Sequence, residues 1–116
     1  MDIESLREYC LRKKGATEEF PFGPDTLVFK VGGKVFLITT LDQSPLQFNV
    51  KCNPEKAIEL RERYESIRPG YHMNKKHWNT IYIDGHLSEK MQREMIDDSY
   101  DLIVKSLPGK NIRPDH

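Results

Sequence analysis

Seven consecutive residues, His72-Met73-Asn74-Lys75-Lys76-His77-Trp78, bring together two imidazoles, two ammonium groups, an amide and the chain's single tryptophan. Such a set suits holding an anion better than running a reaction. Lysine and arginine meet phosphate, asparagine donates to backbone or base edges, and an aromatic ring offers a stacking face. Arg68 and Tyr71 stand just ahead of the stretch, and no Asp or Glu occurs from Ser66 to Ile83. The candidate nucleic-acid-binding residues are therefore Arg68, Tyr71, His72, Asn74, Lys75, Lys76, His77 and Trp78. A plainer use competes: Tyr71 and Trp78 serve equally as core aromatics leading into a strand, with the lysines turned to water.

Metal and catalytic patterns are weaker. His72 and His77 lie five apart in a loop and His86 beyond the following strand, with no HxxxH and no paired Cys and His at ligand spacing. No metal or cofactor is expected. Glu18-Glu19 and Asp97-Asp98 are adjacent carboxylates, which point in different directions along a chain, and no nucleophile elbow, P-loop or dinucleotide fingerprint is present. Cys10 and Cys52 read as reduced structural thiols. The chain is expected to work without catalysis.

At 116 residues the chain is long enough for one core. A single domain over 1–108 with a loose tail over 109–116 is expected. With 37% hydrophobic and 31% charged residues the composition is that of a globular protein. The 18 basic and 18 acidic side chains cancel, which excludes binding a polyanion by bulk charge and requires any anion site to be local. No apolar run approaches a membrane span and no signal-peptide order opens the chain, so a cytoplasmic location is expected.

Certain elements must position that loop. Asp2 caps a first helix running to about Lys13, with Ile3, Leu6 and Cys10 on one face and Gly15 ending it. Thr17 to Asp25 reads as an ordered linker, because Pro21, Gly23 and Pro24 interrupt regular structure while Phe20 and Phe22 anchor it. Two β-rich runs then flank Gly32-Gly33, the composition of a tight primed turn. A two-residue turn would pair Val31 with Lys34, Phe29 with Phe36 and Leu27 with Ile38, leaving Val28, Lys30, Val35 and Leu37 on a second, rather apolar face. Leu46 to Lys51 alternates as a third strand. Asn53-Pro54-Glu55 starts a helix with Ala57, Leu60 and Tyr64 inward, broken at Pro69-Gly70. Asn79 to Asp84 forms a fourth strand, and Ser88 caps a last helix to about Leu107. Short connections make the first three strands antiparallel, giving an α+β domain of order α-β-β-β-α-β-α with helices against one sheet face.

Four segments carry more than spacing: "FPFGPDTLVFKVGGKVF" from Phe20, "KCNPEKAIELRERY" from Lys51, "PGYHMNKKHWNTIYIDG" from Pro69 and "SYDLIVKSLP" from Ser99. In this order they resemble the MmcQ/YjbR family up to Pro108. The resemblance implies a CyaY-like fold, an antiparallel sheet flanked by helices, and a double-wing DNA-binding role with the Gly32-Gly33 hairpin as one wing. The CyaY relation also raises iron binding, which in frataxin-like proteins uses an acidic ridge along the first helix and first strand. Here Asp2, Glu4 and Glu8 are interleaved with Arg7, Arg12, Lys13 and Lys14, so that ridge is missing. DNA is thus the expected partner. The rival reading is a protein or small-ligand interaction module, a homodimer being one form of it, working through Val28, Val35 and Leu37 or through Phe20 and Phe22.

Overall fold

The computed structural model describes residues 1–70 and 73–108. Tyr71, His72 and the expected tail over 109–116 lie outside the described residues. Three helices, α1 (Ile3–Leu11), α2 (Pro54–Arg63) and α3 (Glu89–Ser106), accompany six strands. These are β1 (Ala16–Glu19), β2 (Thr26–Val31), β3 (Lys34–Thr40), β4 (Gln47–Lys51), β5 (Ile67–Pro69) and β6 (Trp78–Tyr82), in sheet order β1-β2-β3-β4-β6-β5. Every neighbouring pair is antiparallel.

The α+β class and the helix starts follow the sequence closely. The Asp2 carboxylate accepts from the Ser5 N–H while the Ser5 hydroxyl accepts from the Asp2 N–H, a reciprocal cap. Asn53 Oδ1 accepts from the N–H groups of Glu55 and Lys56, and Ser88 Oγ from Met91. Two strands are additional. β1 lies where a linker is expected, and β5 where only a helix break is expected; each pairs along one side only and closes one edge of the sheet.

The hairpin also departs from the expected register. Gly32 and Gly33 have φ of 58° and 80°, as a primed two-residue turn demands, and Val31 does pair with Lys34. A bulge then follows: Lys30 pairs with Val35, but Phe29 pairs with Leu37 and Val28 with Ile38. Phe36 is left unpaired, and both it and Leu37 are fully buried. Ser99 on α3 repairs the ladder there, donating its hydroxyl to the Phe36 carbonyl at 2.6 Å and accepting the Lys51 N–H at 2.8 Å. Phe36 packs edge-on against Tyr100, with ring centroids 5.3 Å apart.

The resulting pairings run straight across the sheet. One inward row reads Glu18, Phe29, Leu37, Val50, Asn79, Pro69; the adjacent outward row reads Glu19, Val28, Ile38, Asn49, Thr80, Arg68. Leu6 and Cys10 of α1 and Met95, Ile96, Ile103 and Val104 of α3 join the inward residues in one core, with Leu60 of α2 at its margin. The helices thus share one side of the sheet. Among the described residues no helix is long and apolar enough to cross a membrane.

Candidate nucleic-acid interface

The basic stretch divides among three places. Arg68 is exposed on β5, where its Nε donates to the Glu65 carbonyl at 3.2 Å and its guanidinium lies 4.9 Å from the centre of the Tyr82 ring. Asn74 to His77 form a tight turn. The Asn74 side chain accepts from the Lys76 N–H at 3.0 Å, and its carbonyl accepts from His77 at 3.0 Å and Trp78 at 2.9 Å. Trp78 opens β6, half-buried and directly opposite Lys51. Tyr71 and His72 fall outside the described residues.

The turn is held from behind. Arg61, in the last turn of α2, donates Nε to Asn79 Oδ1 at 2.7 Å and Nη2 to the Lys75 carbonyl. The His77 carbonyl accepts the Cys52 N–H at 2.7 Å, tying the turn to the end of β4. Gly70 donates its N–H to the Trp78 carbonyl at 2.9 Å, and a Cβ there would come within 3.1 Å of Trp78 Cβ. Glycine at this position lets β6 start with a bulky indole. Backbone anchorage on three sides leaves the Lys75 and Lys76 side chains exposed.

Among the described residues six cations on other elements form ion pairs: Arg7 with Glu18, Arg12 with Glu8, Lys13 with Asp97, Lys30 with Glu19, Lys56 with Asp98 and Arg93 with Glu89. Among the described residues Arg61, Arg63, Arg68 and Lys76 form none. No carboxylate lies on β5 or on the turn, whereas Arg63 and Arg68 share their cleft with Glu65 and Asp84, and the whole chain is neutral. The register also brings the Gly32-Gly33 hairpin to the same end of the sheet. Leu37, Val50 and Asn79 share a row, and β3 and β6 run in the same direction, so the hairpin tip before β3 and the turn before β6 lie on the same side of that row.

Two clefts flank this region. A cavity of about 300 Å³ is lined by Arg63, Ser66, Arg68, Asp84, His86 and Leu87. The Ser66 hydroxyl bonded to Asp84 holds that carboxyl below its ordinary range. A second, of about 250 Å³, lies between α2 and α3 beside Cys52 and the Lys56–Asp98 pair, whose N–O distance is 2.7 Å. Burial raises the Cys52 thiol and pushes Cys10 up to about 12, so both stay protonated. Among the described residues no three His, Cys, Asp or Glu side chains converge on a metal-sized point.

Sequence reasoning missed Arg61. It lies four residues after the buried Ala57, on the helix face that the spacing turns inward, and that spacing was the available signal. The rival hairpin surface is corrected: Val28 and Leu37 are both fully buried, Leu37 because the bulge turns it inward. Phe20 and Phe22 remain 48% and 72% exposed.

A six-stranded antiparallel sheet with helices on one side defines a small α+β domain. The chain belongs to the YjbR family, whose model matches residues 11–102. It is 42% identical over 123 positions to YbdF of Escherichia coli O157:H7, covering 98% of this chain and 99% of that one. Against YjbR of Escherichia coli strain K12 the identity is 32% over 108 positions, 93% of this chain and 92% of the other. The crystal structure of Deinococcus radiodurans protein DR2400, described as domain DUF419, superposes with a TM-score of 0.90 at 38% identity, over 96% of this chain and 84% of that one.

Proposed function

We propose that this YjbR-family chain is a non-enzymatic DNA-binding domain that grips phosphate through Lys75 and Lys76, assisted by Arg68. The observation that carries the reading is the pinned turn. Its backbone is fixed by Arg61, Cys52 and Asn74, and its Lys75 and Lys76 side chains are exposed. A preorganised cationic tip loses little freedom when it meets a polyanion. Lys34, at the tip of the β2–β3 hairpin, supplies a further cation at the same end of the sheet, its Nζ 3.4 Å from Ser106 Oγ. A cytoplasmic setting suits the two free, buried cysteines.

The deciding experiment is a titration with mixed-sequence duplex and single-stranded DNA at about 50 and 200 mM salt. Affinity should fall steeply between the two. No measurable binding of either DNA at the lower salt would end the reading. A protein-partner role is the second reading, favoured by the exposure of Phe22 and Phe20 beside the β1 edge. Light scattering and pull-down with Phe22→Ser test it, and a strict monomer that captures nothing counts against it.

A further inference from the structure

The sheet has a second side. Alternation along β4 and β6 sends Asn49 and Lys51, and Trp78, Thr80 and Tyr82, away from the helices, and Arg68 joins them from β5. We infer that this outer face is a platform for unpaired nucleic acid, so that the preferred ligand is a single strand rather than a duplex. The inference rests on the phosphate-binding reading above and names its substrate class.

Three observations carry it. First, aromatic surface is presented where bases can reach it. Trp78 and Tyr82 are both half-buried on one strand, four residues and so about 13 Å apart, and Arg68 adds a guanidinium plane over Tyr82. Bases released from a duplex stack on such rings and planes, whereas paired bases show only their edges. Second, the charge is complementary. From β2 to β5 the outward strand positions carry no carboxylate, and Lys51 and Arg68 add positive charge there, while Lys30 and Glu19 of the β1 edge neutralise each other at 2.6 Å. Third, a base-edge donor stands between the rings. Thr80 donates its hydroxyl to Asn49 Oδ1 at 2.5 Å, which fixes that amide and leaves its NH₂ on the same face. The Lys75–Lys76 turn continues directly into Trp78, so a strand lying over the platform would carry its backbone past both ammonium groups.

The test uses the full chain at about 50 mM salt with oligothymidylate and a duplex of equal length, reading Trp78 fluorescence and amide chemical shifts. The expected result is tighter binding of the single strand, quenching of the indole, and shifts concentrated at 47–51 and 78–82. Lys51→Glu should weaken the single-strand complex roughly eightfold or more, the loss of one phosphate contact at this salt. Equal or tighter duplex binding, with shifts confined to the 74–77 turn and the Gly32-Gly33 hairpin, would overturn the platform and leave the phosphate reading intact. Absence of any binding overturns both. Shifts on the outer face that follow protein concentration without DNA would assign it to self-association and likewise overturn the inference.

Discussion

Arg61 and Asn79 are joined by a 2.7 Å hydrogen bond that crosses from the last turn of α2 to the inward side of β6. Asn79 is 1% exposed; its Oδ1 accepts from this arginine, while its Nδ2 has no partner among the described residues. The same guanidinium holds the Lys75 carbonyl. Arg61→Ala should therefore cost about 1–2 kcal/mol, the penalty for leaving a buried polar group unpaired. It should also speed amide exchange at His77 and Trp78. Unchanged exchange there would show that the turn does not need its arginine.

The Lys75→Ala/Lys76→Ala double variant separates the two jobs of the turn. The backbone bonds to Arg61, Cys52 and Asn74 are untouched, so amide exchange at His77 and Trp78 should stay near that of the parent. The slope of log affinity against log salt should flatten by about 1.4 to 1.8, the share of two phosphate contacts. A parallel line displaced downward would mean that the lysines act other than as counterion-releasing contacts.

Ser99 links the bulge to its neighbouring strand. Fully buried, it donates a hydrogen bond to the Phe36 carbonyl and accepts one from the Lys51 N–H. Ser99→Ala leaves both backbone groups without that partner and should destabilise by about 1–3 kcal/mol in urea titrations. A neutral substitution would show that the strands relax to pair with each other.

Glu18 faces Arg7 through two contacts, Nε to Oε2 at 2.9 Å and Nη2 to Oε1 at 2.5 Å. The hydrogen bonds from Arg7 hold its carboxyl below the ordinary 4.5. A depressed folded-state pKa means that stability is present above pH 4.5 and is lost as the pH falls below it. Glu18→Gln should remove that acid limb and cost about 0.5–1 kcal/mol at neutral pH, since the pair is partly exposed. Urea midpoints measured from pH 7 to pH 3 check both signs.

Much of the fold is legible because its signals are local. Asp2, Asn53 and Ser88 announce helix starts by chemistry that acts within one turn, and Gly32-Gly33 announces the hairpin. β1 and β5 are not legible. Ala-Thr-Glu-Glu has no apolar alternation and Ile-Arg-Pro is three residues long, so each becomes a strand only because β2 or β6 offers an unpaired edge. The bulge is hidden too, since Phe36, Leu37 and Ile38 are equally apolar and only the tertiary pairing decides which turns outward. The 68–78 stretch was legible as a concentration of cations. Its division among an edge strand, a turn and a sheet face was not, because that depends on the arginine brought in from α2.

The doubled inward pair at Phe36 and Leu37 sets a parity for the rest of β3: downstream of it, odd-numbered residues look to the interior and even-numbered ones to the outside. Excising a single residue from Lys34–Phe36 would erase the offset. Leu37 and Thr39 would then have to trade sides with Ile38 and Thr40, or the strand would have to slide against both neighbours. Length, rather than side-chain identity, is the guarded quantity in that short run, and relatives should vary there by substitution and not by gap.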